Sequence, residues 1–371
     1  MTPRLWLAAP TRFAALSRRN ARIALALAAA LILACFTALD AAAPPAATPE
    51  TTTAAARDNR ADVALYEEIV AGLRNGGDYY TVTAEALRRG PYPLRPFFTF
   101  RLPTLARVQA ALPDSVTVFL LFALAIGLVL AWYRRFATVF TRPAPRIVAT
   151  ILLVGGIALT IRPGLAAFHE VWAGPLIALS LAIRRPGDAT AAIAVALIAM
   201  LIRETAALYA GIMLLCALAE GRRREAAGWL AAIAVMLVVV AAHAFAVARV
   251  VRPLDAASDG WHALLGFGFV VKAMTLVTAL ATIPAWLAAP LVGLSLVGWV
   301  AWRDPLATRA LATLAGYTLL LAVFCRTDTY YWAMLPAPIL LVGLAFVPDT
   351  ARDLFARALD RRRITVTRLV R

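Results

Sequence analysis

The sequence predicts an all-α integral membrane protein with about ten transmembrane helices and a first external loop of short interfacial helices. Three observations lead there. Hydrophobic residues make up 62% of the 371 residues and charged ones 16%, with a mean hydropathy of +0.77. A soluble domain could not cover that much apolar surface with so little charge. Several apolar runs are long enough to cross a hydrocarbon core of about 30 Å. The arginines gather between those runs, at Arg18, Arg19 and Arg22, at Arg134 and Arg135, at Arg184 and Arg185, at Arg222, Arg223 and Arg224, and at Arg361, Arg362 and Arg363. This is the positive-inside pattern, which orients spans. It accounts for the net charge of +16 without a nucleic-acid partner.

The elements follow in order. Residues 1–22 form a basic cytoplasmic N-terminus, and 23–39 the first span, read as a retained helix in preference to a cleaved signal peptide because its apolar run is long for that role. Residues 40–113 are an external loop, 114–348 the helical bundle and 349–371 a basic cytoplasmic tail. A Pro/Ala/Thr stretch at 41–56 reads as an extended linker. Helical spacing of Val63, Tyr66, Ile69, Val70 and Leu73 then predicts a helix with Asp62 as N-cap or first-turn acid, stopped by Asn75, Gly76 and Gly77. A second short helix covers 79–89, the prolines at 91, 93 and 96 impose an extended path, and a third helix covers 104–112.

Spans are expected at 116–133, 147–161, 170–183, 226–247, 283–302, 307–324 and 331–347. The run 189–219 is too long for one helix and carries Arg203 and Glu204 at its middle. Two short helices turning there keep Arg222, Arg223 and Arg224 on the cytoplasmic side. A second external segment covers 249–272. Cys35, Cys216 and Cys325 lie far apart, in or beside apolar runs, and read as core residues rather than as a disulfide or metal framework.

This topology sends a mixed set of charges outward. The first loop supplies Asp62, Glu67, Glu68, Asp78, Glu85, Arg88, Arg89, Arg95 and Arg101; later turns supply Arg162, His169, Glu170, Arg203, Glu204, Arg326 and Asp328. Ionisable groups at membrane depth are costly, so they are paired or functional. A carboxylate could take a proton from an attacking hydroxyl, and arginines could hold a phosphate by bidentate contacts. Together they suit group transfer from a phosphorylated lipid carrier. His169, Glu170 and Trp172, like Arg326, Asp328, Tyr330 and Trp332, join charge to aromatics at helix ends. They read either as an interfacial aromatic belt or as a surface on which a sugar ring stacks. His243, inside an apolar run, reads as a core histidine. No phosphate-cradling glycine loop, zinc spacing or nucleophile-elbow motif is present.

The order Asp62, Tyr66, Gly77-Asp78-Tyr79, Tyr92-Pro93 and Arg95-Pro96-Phe97 resembles the first external loop of the C-type glycosyltransferases, which include lipid-A aminoarabinose transferases and protein O-mannosyltransferases. The resemblance covers 62–103 in motif order and the rest of the chain only in its alternation of spans. It implies a bacterial inner-membrane, multi-pass enzyme with both termini cytoplasmic. Such an enzyme moves a hexosyl or pentosyl group from a polyprenyl-phosphate sugar to a lipid or polysaccharide acceptor of the envelope. By that likeness Asp62 is the catalytic base, with Asp78 second and Asp40 third. Arg95, Arg101, Arg203 and Arg326 would bind the donor phosphate. Tyr66, Tyr79, His169, Glu170, Trp172, Glu204, Tyr330 and Trp332 would line the substrate. A divalent cation, magnesium or manganese, is the one cofactor the resemblance admits. Leu-Arg-Pro-Phe at 94–97 replaces the Lys-Pro-Pro-Leu of the aminoarabinose enzymes, no acid adjoins Asp62, and no C-terminal soluble domain follows the spans. A lipid or small-anion transporter and a non-catalytic scaffold subunit are the alternative readings.

Overall fold

A computed structural model of the chain describes residues 6–42, 52–90 and 92–360, with side chains throughout except at 52–61. The linker residues 43–51, Pro91 and the basic tail from 361 onward lie outside the described residues. The described chain is helical, with no strand beyond isolated bridges. Its helices are α1 Arg18–Cys35, α2 Thr52–Arg74, α3 Tyr79–Arg89, α4 Thr104–Ala111, α5 Asp114–Val139, α6 Pro143–Gly155, α7 His169–Ile183 and α8 Thr190–Ile202. The second half adds α9 Ala207–Ala219, α10 Arg223–Ala248, α11 Gly266–Leu276, α12 Ala285–Ala301, α13 Pro305–Phe324, α14 Ala337–Leu340 and α15 Val347–Ala358.

Among the described residues four helical stretches are long and apolar enough to cross a membrane: Arg18–Ala38, α5, α10 and α13. Six further apolar helices are 10–17 residues long. The stretch expected as a straight span at 331–347 is instead broken, with Thr327–Met334 and Ala337–Ala358 meeting at 57°. Pro336 and Pro338 cannot donate to a continuous helical ladder, which explains the bend. Residues 249–272 are not wholly loop, because α11 begins at Gly266.

The core is a file of aromatic rings, Trp132, Phe136, Phe140, Phe346, Trp302 and Trp299, each within 6.1 Å of its neighbour in the file. The indole N–H groups of Trp132 and Trp299 donate to the carbonyls of Ala178 and Ile339, each at 3.0 Å, so neither polar edge is left bare. Where α12 crosses the segment Leu341–Phe346, a Cβ on Gly298 would lie 1.9 Å from the Gly343 carbonyl. Only glycine permits that approach, the means by which helices pack closely without a hydrophobic drive in lipid.

The long run at 189–219 does break in two. Arg203 is extended (φ −140°, ψ 111°) between α8 and the short turn Glu204–Ala206 that leads into α9. Ile193 of α8 packs against Gly228 of α10, and α9 turns into α10 at Gly221. The open ends of the hairpin therefore share the first turns of α10, and Arg203 stands at the opposite end, its tip. Tyr317 of α13 donates to the Thr205 carbonyl at 3.1 Å and fixes the tip's level. With 13 residues each, α8 and α9 stop well short of the 26-residue α10 and the 20-residue α13.

The first loop folds over the space left above that tip. Helices α2, α3 and α4 share a small core of Leu65, Ile69, Val70, Tyr79, Leu87, Phe100 and Ala106 that joins Val247 of α10. Helix α2 begins at Thr52, so the expected linker ends earlier than 56 and Asp62 is mid-helix rather than an N-cap. Arg88 clamps the cap to the segment after α10, with Nε and Nη2 on the two Asp255 oxygens at 2.8 and 2.6 Å.

Candidate active site

The cap, the hairpin tip and the upper turns of α10 and α13 enclose a cavity of about 700 Å³. Its walls include Asp62, Tyr66, Tyr79, Tyr92 and Arg101 from the cap, Arg203 and Glu204 from the tip, Val240 and His243 from α10, and Leu320 and Phe324 from α13. Arg326, Asp328, Tyr331 and Trp332, just after α13, complete it. The helical period of α2 explains the alignment of Asp62, Tyr66 and Ile69, which fall on one face at i, i+4 and i+7.

Asp62 is half-buried. Burial pushes its carboxyl up to about 6, and the carboxylates of Glu170 and Asp328 add to the rise, while a hydrogen bond with Tyr92 and the Arg101 charge act against it. Such a group is ionised near neutral pH yet remains a useful proton acceptor.

Behind it lies a buried polar cluster. Arg101 donates from Nε to the Tyr66 hydroxyl at 3.1 Å and from Nη2 to the Tyr331 hydroxyl at 3.4 Å, and its Nη1 is 3.6 Å from Glu204. Arg203, 0% exposed, donates from Nη1 to Glu204 and places Nε 2.6 Å from Glu170, 1% exposed, without the alignment of a hydrogen bond. Its guanidinium lies 5.5 Å from the Trp332 ring centre, a cation–π distance. His169 packs edge-on against Tyr66 at 4.9 Å. Several buried atoms here make no hydrogen bond: both His169 ring nitrogens, Glu170 Oε2, Arg203 Nη2, Glu204 Oε2 and Trp332 Nε1. Buried polar atoms are satisfied in nearly all folds, so this group of orphans beside a cavity is bonding capacity that the chain itself does not use.

The expected site residues divide. Asp62, Tyr66, Tyr79, Arg101, Arg203, Glu204, Arg326 and Trp332 line the cavity, and His169 and Glu170 stand directly behind it. The other four lie away from it. Asp78 caps α3, accepting from the backbone of Tyr80 and Thr81 at 3.1 Å each. Arg95 is spent on the Asp255 carbonyl at 2.7 and 3.1 Å, fastening the segment after α10 to the cap. Trp172 donates to the Ala166 carbonyl at 2.8 Å inside the bundle. Tyr330 lines a second cavity on the other side of Phe168 and Tyr331. Asp40 is exposed near the end of α1 and is not part of the lining either. His243 is the satisfied core histidine expected, buried with its ring nitrogens 3.3 Å from the Tyr80 hydroxyl and the Phe100 carbonyl, and it also borders the cavity. Trp261, 4.8 Å from Phe98 between ring centres, closes another side.

Among the described residues no three histidines, cysteines or acids converge to hold a metal ion. Of the cavity's acids Glu204 and Asp328 are paired with arginines, which leaves Asp62 as a lone carboxylate, so the residues present do not fit a divalent cation. No family model, curated protein or solved structure matches the chain.

Proposed function

We propose that this chain is a C-type membrane glycosyltransferase that moves a sugar from a polyprenyl-phosphate donor to an envelope acceptor. The observation that carries the reading is a raised, half-buried carboxylate, Asp62, set in one cavity with Arg101, Arg203 and Arg326 under its own loop. On this reading the chain crosses the bacterial inner membrane about ten times, the shorter apolar helices included. Both termini are cytoplasmic, and the cap lies on the periplasmic face.

The chemistry follows from the groups present. The acceptor hydroxyl gives its proton to a carboxylate oxygen of Asp62 as its own oxygen bonds to the anomeric carbon. The bond from that carbon to the phosphate oxygen breaks with inversion, and the electron pair leaves on the polyprenyl phosphate. Arg101, held by two phenols and only distantly by Glu204, and the unpartnered Nη2 of Arg203 are the donors best able to receive that charge. Arg326 is already engaged with both oxygens of Asp328, at 3.1 and 2.8 Å, and sits at the rim. The aromatic walls offer ring faces to a sugar, and the orphaned atoms of Glu204 and Trp332, both in the lining, offer an acceptor and a donor to its hydroxyls.

A one-sided site supports transfer over transport. Beneath the tip the bundle is closed by direct contacts, Ser180 with Tyr209 at 3.0 Å and Trp132 with Ala178 at 3.0 Å. The test is transfer of labelled sugar from a polyprenyl phosphate by purified Asp62→Asn protein. A loss on the order of 10²–10⁴-fold is expected for removal of a general base. Transfer at the wild-type rate would overturn the assignment.

A further inference from the structure

On the other side of the Phe168–Tyr331 wall lies a second cavity of about 540 Å³, within the range of about 300–1,000 Å³ usual for ligand pockets. It sits where the chain leaving α6 meets the end of α11 and the segment Thr327–Met334. Its walls are mainly apolar, with Phe168, Leu276, Val277 and Met334 among them, and Arg162 is its one charged residue. The contrast with the first cavity lies in charge. There Arg101, Arg203 and Arg326 each have a carboxylate within ion-pair distance. Arg162 has a single side-chain hydrogen bond, from Nε to the Leu159 carbonyl at 2.6 Å, and no acid lines its cavity.

We propose that this second cavity seats an anionic phospholipid, with the lipid phosphate on the outer edge of the Arg162 guanidinium and the chains against α6 and α11. A guanidinium with its remaining N–H groups uncommitted is a fork suited to a phosphate. The apolar walls offer nothing to a free phosphate ion but match acyl chains. Exposed apolar side chains flank the lining segments along the chain: Ile151 (63%) and Val154 (40%) on α6, Ile283 (36%) before α12 and Trp286 (59%) on it. The site is separate from the sugar-transfer reading and stands or falls without it.

The test uses the full chain, stripped of lipid in detergent and titrated with phosphatidylglycerol or phosphatidylcholine while bound lipid is counted by native mass spectrometry. Wild type should bind phosphatidylglycerol about tenfold more tightly than phosphatidylcholine, a difference of about 1.4 kcal/mol. Arg162→Gln should erase that preference. Arg95→Gln, which also removes an exposed cation, should keep it. Leu276→Trp, which fills the cavity and leaves Arg162 in place, should weaken binding of both lipids. Equal binding of the two lipids by wild type, an unchanged preference in Arg162→Gln, or displacement of the lipid by glycerol phosphate at equal concentration would each overturn the proposal.

Discussion

The protein contains two buried clusters of arginine and glutamate, one at each end of the α8–α9 hairpin, and they are built differently. At the open end of the hairpin, Arg184 holds Glu225 with two bonds of 2.7 and 2.8 Å, and Arg309 reaches Glu220 at 3.0 Å. Trp229 adds an indole N–H to Glu225 at 3.3 Å, and Arg309 Nε is the one fully buried polar atom of those side chains without a hydrogen bond. At the tip, Arg203, Glu170, Glu204, His169 and Trp332 leave several atoms unpartnered beside a cavity. The same residue types thus serve two ends. A closed network fixes helices to one another, whereas an open one keeps bonding capacity for a ligand. An ion pair in an apolar run is by itself silent on which of the two it is; the satisfaction of its atoms decides.

The sharpest way to break the contrast is to remove one arginine from the closed cluster. Arg184→Met takes the bidentate partner from the buried Glu225 and leaves it Arg309 at 3.4 Å and the Trp229 N–H, a loss approaching the ~3–5 kcal/mol of a broken buried pair. Thermal unfolding in detergent should show that loss, while sugar transfer per folded molecule stays at the wild-type level. A comparable loss of transfer in this variant would erase the distinction between the clusters.

At the tip the expected signature is a pH effect. Asp62 must be ionised to accept a proton, so transfer should rise with pH through about 6 and then level off. The Glu170 carboxylate helps to raise the Asp62 value, so Glu170→Gln should move that limb toward lower pH. An unmoved limb would show that Glu170 does not act on Asp62. The linkage has a definite sign as well. A carboxyl raised from 3.8 to about 6 binds more protons folded than unfolded, so its contribution to stability declines as pH rises across that interval. Asp62→Asn removes the burden, and its melting temperature at pH 8 should equal or exceed that of wild type.

Much of this contrast was legible in the chain, and the illegible parts have physical causes. The hairpin was readable because 31 residues of apolar sequence cannot be one ordinary span with Arg203 and Glu204 at its centre. The bend after Tyr331 was also written there, in Pro336 and Pro338, but hydropathy alone masks it. Residues 52–61 carry no apolar repeat, so periodicity placed the start of α2 ten residues too late, although the alanines there favour helix. Asp62, Tyr66, Arg101 and Arg203 were found together because order along the first loop and the positive-inside rule both point outward. Trp172 and Tyr330 were not separable from Trp332, since aromatic residues at helix ends look alike until it is known which cavity each helix end meets. That His243 borders the cavity depends on how α10 is rotated against the cap, which no local pattern encodes.

The smallest effect concerns the strap that holds the cap over the open cluster. Arg88 reaches Asp255 with two charge-assisted bonds and the Val250 carbonyl with a third at 2.7 Å, and the Arg88 guanidinium holds the Asp255 carboxyl well below the usual carboxylate range. Both partners lie at the cap's edge, outside the bundle core, so Arg88→Ala should free the segment 250–260 without unfolding the bundle. Limited proteolysis should then cut within that segment faster than in wild type, while the global melting temperature changes by a few degrees at most. Because the strap closes the first cavity and touches neither buried cluster, the variant should lower transfer modestly and leave the pH limb at about 6 in place. A displaced limb would mean that the cap's seating, and not the buried carboxylates alone, sets the proton affinity of Asp62.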